Sequence, residues 1–199
     1  MRSNRRLTRY QTAKSKPLIN VLLCFVATSV PLLIQQNDGL SYFFNRSWEE
    51  FKVGFGNTSG NYWLGNDQLS QLTLSRVYKL RIDLQLRNTS NWHYAEYSWF
   101  RVLTEADNYM MTVYGYSGNA GSDALGHYHH NGQMFSTYDR DNDMWSSGNC
   151  AVWTGGGFWY HSCGYAFINL PQVGGSATFS WYLPAGIALQ TSRMWLQGK

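Results

Sequence analysis

The segment YKLRIDLQL, residues 78–86, alternates Tyr78, Leu80, Ile82, Leu84 and Leu86 with Lys79, Arg81, Asp83 and Gln85. A two-residue period belongs to an extended strand with one face on a core and the other in solvent, so this segment commits the chain to a sheet covered on one side. HYAEYSWFRV (93–102) and NYMMTVYGY (108–116) follow as further strands, joined by the turn-like TEAD, which predicts an antiparallel meander. SWEEFKVGF (47–55) and NDQLSQLTLS (66–75) read as short helices opened by the capping-type residues Ser47 and Asn66. From about residue 115, GYSGNAGSDALGHYHHNG and GGGFWYHSCGY are dense in glycine and aromatics with little periodicity, the texture of functional loops on a scaffold. The class is therefore α+β, a twisted antiparallel sheet with short helices and a loop-rich part. With 44% hydrophobic and 17% aromatic residues in 199, the chain can fill one core.

Charge excludes one function class. Arg2, Arg5, Arg6, Arg9, Lys14 and Lys16 lie in a head without acids, and beyond residue 16 there are 10 basic and 12 acidic residues. The globular part lacks the basic footprint that nucleic acid requires. The head runs into PLINVLLCFVATSVPLLI (17–34), an uncharged apolar segment. Three readings stand: a signal peptide with small residues around Ala27 and Ser29, a membrane anchor of a type II protein, or a buried helix. The first two place the rest of the chain outside the cell, secreted or membrane-held. Domain limits follow as 1–34 for the head and apolar segment and 35–199 for the folded body.

In an exported body Cys150 and Cys163 are expected to form a disulfide, contributing on the order of 3 kcal/mol by chain-entropy arithmetic. Asn45, Asn57 and Asn88 each open an N-x-[ST] glycosylation sequon. Asp139, Asp141 and Asp143 stand on alternate positions, a quarter of all the carboxylates within five residues. Such crowding reads either as a solvated turn or as a metal loop. It is not an EF-hand, because Met144 and Cys150 occupy the positions that need Gly and Glu. A different calcium loop stays open, with Asp141 and Asp143 giving carboxylates and MWSSGN giving carbonyls. GYSG (115–118) lacks the last glycine of a nucleophile elbow, and GFGNTSG (54–60) misses the dinucleotide fingerprint. His127, His129 and His130 are a histidine cluster without the further ligands zinc needs. No nucleophile and base constellation points to an enzyme; the expectation is a binding module.

The ordered series WEEFKVGFGN, NYWLGND, YKLRIDL, YAEY, GYSGNAGSDAL, HNGQMFSTYDRDND, NCA and GGGFWYHSC resembles the fibrinogen C-terminal globular domain, shared by fibrinogen chains, ficolins, tachylectins, angiopoietins and tenascins. The resemblance spans about residues 41 to 163 and implies a central antiparallel sheet followed by a loop-rich calcium and ligand subdomain. It implies Ca²⁺ held by Asp141, Asp143 and the carbonyls of Trp145 and Ser147, with Asp139 accessory. It also implies the Cys150–Cys163 disulfide, a cis peptide between Asn149 and Cys150, and a ligand pocket at Asn149, Cys150, Thr154 and Tyr165. The implied function is an extracellular, calcium-dependent, lectin-like module for glycans or acetylated surface groups, as in innate defence; the alternative is a protein-interaction or matrix module.

The chain departs from the family in three places. The resemblance begins only near the end of the family's first subdomain, so most of that subdomain, with its own cysteine pair, is expected to be lacking. Thr154 and Gly164 stand where lectin-like members carry the tyrosine and histidine that grip acetyl groups, which leaves Trp153, Phe158, Trp159, Tyr160 and Tyr165 as the aromatics able to wall a site. The segment after the second cysteine is AFINLPQV, and the family's closing region is contracted to WYLPAGIALQTSRMW. A homo-oligomer would supply multivalency, and no collagen repeat or heptad run is present to build one.

Overall fold

The computed structural model describes residues 30–126, 129–172, 179–181 and 187–199. The expected meander is present: β4 (Tyr78–Leu86), β5 (Trp92–Val102) and β6 (Met111–Gly118) pair antiparallel in sequence. β1 (Leu32–Asn37), β2 (Phe55–Gly56), β3 (Tyr62–Trp63) and β9 (Ile187–Gly198) extend them into the order β2-β3-β1-β9-β4-β5-β6. A short pair, β7 (Ala166–Phe167) and β8 (Ser180–Trp181), attaches through β8 to β9.

β9 lies between β1 and β4, a place its sequence does not announce. Leu189 faces the core, and so do Ser192, Met194 and Leu196, so the inward set changes phase between 189 and 192. The cause is a bulge: Gln85 pairs with Thr191 but Leu86 with Leu189, leaving Gln190 unmatched. An extra residue breaks the alternation that marks β4 as a strand.

β1 begins at Leu32, three residues before the expected domain start, and its Ile34 is fully buried. Leu32–Ile34 therefore belong to the sheet and not to the apolar segment; residues 1–29 lie outside the described residues. β1 also buries Gln35 and Asn37, which survive in the core because they are bonded. Gln35 Nε2 donates to the Ile168 carbonyl at 3.1 Å, Asn169 Oδ1 at 3.0 Å and Ser192 Oγ at 3.0 Å. Asn37 Nδ2 donates to the carbonyls of Ile168 and Leu170. Satisfied amides of this kind tie the irregular 168–170 chain to the sheet.

Helix α1 (Trp48–Val53) starts with the expected cap: Ser47 accepts from Glu50 N while Glu50 reaches back to Ser47 N, a reciprocal capping box. Its Trp48 and Phe51, three apart, face inward. Helix α2 (Asn66–Ser75) differs from expectation, since Gly65 is the cap and Asn66 is inside the helix, where Oδ1 accepts from Trp63 Nε1 at 3.1 Å. Thr73 Oγ1 donates to Leu69 O and accepts from Val102 N at 2.9 Å, joining α2 to β5. Between helices and sheet sits an aromatic cluster of Phe51, Trp63, Phe100, Phe135 and Trp159, with Phe51–Phe135 and Phe135–Trp159 centroids 5.0 and 5.1 Å apart.

Ile82→Ala, at a fully buried position of β4, is expected to lower stability by about 2–5 kcal/mol in urea unfolding, while Lys79→Ala on the opposite face changes it by less than about 1 kcal/mol.

Candidate calcium and ligand site

The aspartate ladder divides into two jobs. Asp139 turns toward the scaffold: its Oδ1 accepts from Trp48 N at 2.9 Å, an orphan donor of the first turn of α1, and from Thr137 Oγ1 at 2.7 Å. Asp141 and Asp143 stay together in the loop. Asp143 accepts from Trp145 N at 2.8 Å through Oδ1 and from Cys150 N at 2.7 Å through Oδ2, and Asp141 Oδ1 accepts from Asp143 N at 3.2 Å. Burial raises the Asp143 pKa and the Asp141 charge raises it further, against the lowering effect of the two backbone donors. No ion pair among the described residues involves either carboxylate.

That donor set fits a hard cation. Among the described residues no three His, Cys, Asp or Glu side chains converge, so a metal here would rest on two carboxylates completed by backbone carbonyls and water, the oxygen set calcium takes. The turn that follows offers the carbonyls of Trp145 and Ser147; Gly148 N donates to Trp145 O at 3.1 Å.

Asn149 caps helix α3 (Cys150–Thr154) by accepting from Val152 N, and its Nδ2 donates to Thr137 O at 3.1 Å. Peptide bonds among the described residues are trans, Asn149–Cys150 included, contrary to the family expectation. Asn149 in its extended conformation already reaches both partners. Cys150 is buried and joined to Cys163.

The expected pocket residues are not brought together. Thr154 is buried, its hydroxyl 2.9 Å from Tyr160 OH and 3.3 Å from Gly156 O, so it packs inside and does not face a ligand. Phe158, Trp159 and Tyr160 are likewise core. Tyr165 is 40% exposed and Trp153 37%, alongside Met144 and Val152, which the sequence reading passed over. Tyr165 meets His129 edge-on at 4.1 Å, and Trp153 lies 6.3 Å from both Trp145 and Phe167. Asn45, Asn57 and Asn88 are exposed.

His127 lies outside the described residues, and His130 has a role other than metal binding. Its ring is fully buried; Nδ1 donates to Trp159 O at 2.7 Å, while Nε2 accepts from Tyr165 N and Ala166 N, each at 3.0 Å. These bonds define a neutral ring protonated on Nδ1. Burial, with the neighbouring charges of His129 and His161 as a smaller contribution, pushes its pKa down to about 4, although the Trp159 carbonyl acts upward. The clamp also explains Gly164. A Cβ there would come 2.5 Å from the His130 ring, so a histidine directly after the second cysteine has no room. A glycine next to Cys163 was the one sequence signal of this crowding.

Comparison with known proteins agrees with the geometry. The profile described as fibrinogen beta and gamma chains, C-terminal globular domain, matches residues 24–190. The chain belongs to the fibrinogen C-terminal globular domain family. Human microfibril-associated glycoprotein 4 is 40% identical over 144 residues, 70% of this chain and 54% of its own length. Human ficolin-3 is 40% identical over 138 residues, 69% of this chain and 45% of its own. The chain thus spans about half the length of the curated relatives it matches. The solved fibrinogen-like globe domain of human ANGPTL6 superposes with a TM-score of 0.74 at 31% identity, covering 85% of this chain and 78% of that one. This fibrinogen-type domain has no helix among its described residues long and apolar enough to cross a membrane.

Unfolded histidine titrates near 6.5 and folded His130 near 4, so the unfolded state takes up the proton first. Stability is accordingly full above pH 6.5 and falls as pH drops to 4, by about 3 kcal/mol. Thermal melts from pH 7 to 4 should show this slope, and His130→Gln should melt lower at pH 7 with a flatter profile; equal slopes would reject the neutral clamp.

Proposed function

We propose that the chain is an extracellular, non-enzymatic recognition module whose binding face is shaped by calcium at Asp141 and Asp143. The observation that carries this reading is the pair of adjacent carboxylates, without an ion-pair partner among the described residues, of which Asp143 accepts from Cys150 N at the start of the disulfide-linked α3. Calcium, when bound, neutralises that pair and fixes the turn that presents the Trp145 and Ser147 carbonyls. Asp143 transmits the loop position to α3, and Met144 N donates to His161 O at 2.6 Å, linking the loop to the segment before Cys163.

The occupant of the face is a protein partner on this reading. With Thr154 turned inward and Gly164 unable to carry a side chain, two grips for an acetylated sugar are gone, whereas Met144, Val152, Trp153 and Tyr165 offer exposed apolar area of the kind that anchors protein interfaces. Glycan binding remains the second reading, favoured by the exposed rings of Trp153 and Tyr165, which suit stacking on a sugar. Export is supported by the disulfide and by three exposed sequons. A signal peptide cleaved near Ala27 to Ser29 would leave β1 whole, and mass spectrometry of the secreted protein should find its N-terminus between residues 27 and 31; an intact head in a membrane fraction would favour the anchor.

Calorimetric titration tests the metal assignment. Calcium at a hundredfold excess over Kd should stabilise the fold by about 2.7 kcal/mol, and the double variant Asp141→Asn, Asp143→Asn should lose that gain and any partner binding. Asp139→Asn should instead melt lower while keeping calcium affinity. A double variant with unchanged affinity rejects the site. Calcium-dependent elution from an acetylated resin by acetylated sugar would move the assignment from protein partner to lectin.

A further inference from the structure

The face of the sheet turned away from the core carries an ordered mosaic of cations and rings that neither the calcium loop nor the fold uses. Reading across the strands, Leu33 pairs with Trp195, Trp195 with Arg81 and Arg81 with Glu96; in the adjacent row Gln36 pairs with Arg193, Arg193 with Asp83 and Asp83 with Tyr94. Trp92 follows at the end of β5, while Trp99, paired with Tyr114, and Arg101 continue the face beyond the bulge in β5. Arg81 lies over Tyr94 at 4.3 Å, Arg193 over Trp92 at 5.0 Å and Arg101 over Trp99 at 5.0 Å. Trp92 and Tyr114 are 40% and 59% exposed.

The charges on this face do not balance. Arg81 pairs with Asp83 at 2.8 Å and Lys79 with Glu96 at 2.9 Å, which uses both acids. Arg101 and Arg193 have no ion pair among the described residues, and the Nε of each is buried without an acceptor. Trp195 Nε1 is a third buried donor without an acceptor among the described residues, at the wall of a concavity of about 290 Å³ lined by Val30, Pro31, Arg81, Asp83, Trp195 and Gln197. Guanidinium charges without a carboxylate partner, beside exposed rings, call for a ligand that brings anionic oxygens and flat apolar faces together. A sulfated polysaccharide has both: sulfates for the guanidinium groups and pyranose C–H faces for the indoles and phenols. Nucleic acid fits less well, because the body beyond residue 16 has two more acids than bases and lacks an extended basic footprint.

We propose that this outer sheet face is a second binding surface, for a sulfated polysaccharide, independent of calcium. Heparin is the probe, titrated against the full chain by surface plasmon resonance at several salt concentrations with and without chelator. The six cations of residues 2–16 contribute equally to every variant, so the difference between variants reports the face. Arg101→Gln with Arg193→Gln should weaken the heparin Kd about tenfold at 0.15 M salt and reduce the log–log salt slope by about one to two, and Trp92→Ala should weaken it without changing that slope. Chelator should change neither. Near-ultraviolet circular dichroism and melting curves establish that each variant is folded, and Arg193→Lys, which keeps the charge, should restore most of the affinity if Arg193→Gln alone is lossy. Equal heparin binding by wild type and the double arginine variant overturns the proposal. So does equal binding of desulfated heparin, and preferential binding of a DNA oligonucleotide would reassign the face to nucleic acid. Loss of heparin binding on chelation would place the ligand at the calcium loop instead.

Discussion

The neutral imidazole of His130 is the interaction on which the irregular half of the molecule depends. It binds a carbonyl from the aromatic core and two amides from the chain after the disulfide, so one side chain satisfies three backbone groups, one of them at the start of β7. Cys163 and Gly164, both at positive φ, bend the chain tightly around the ring. Without that ring the 163–166 segment would have buried donors and no acceptor, a cost of several kcal/mol in a part of the fold with few regular elements.

The aspartate ladder is welded to the same scaffold from the other side. Asp139 spends its charge on the first turn of α1, so the helix dipole and an orphan amide draw the loop toward the core. Asp143 spends its hydrogen bonds on the first turn of α3. The loop is thus suspended between two helix beginnings, and its remaining acidity is concentrated at one point. Glu105 adds to this arrangement by accepting from Trp48 Nε1 and pairing with Lys52, with both contacts holding its carboxyl below the usual range.

What was legible in the sequence was whatever repeats. The alternation in 78–86 matches β4 residue for residue, and the capping-type Ser47 opens α1 as expected although the helix ends at Val53 and Phe55 passes into β2, because both features are decided by neighbours two to four positions away. The aspartates and the cysteine pair stood out by composition, and the family motifs placed them in one subdomain. β9 was hidden by the single unmatched residue Gln190. Asn66 looked like a cap, but the indole of Trp63 claims its side chain. Thr154, expected at the pocket, and His130, read as one of a histidine cluster, take their actual roles from partners supplied by folding, and only packing decides whether a hydroxyl faces a ligand or Tyr160.

β1 and β9 are neighbours in the middle of the sheet although some 150 residues separate them. During synthesis the meander β4–β6 can pair as it emerges, but the two strands flanking the missing centre stay unzipped until residues 187–198 have left the ribosome. A nascent chain of this design therefore presents two bare hydrogen-bonding edges until β9 emerges, which makes it a natural client of the chaperones that shield such edges.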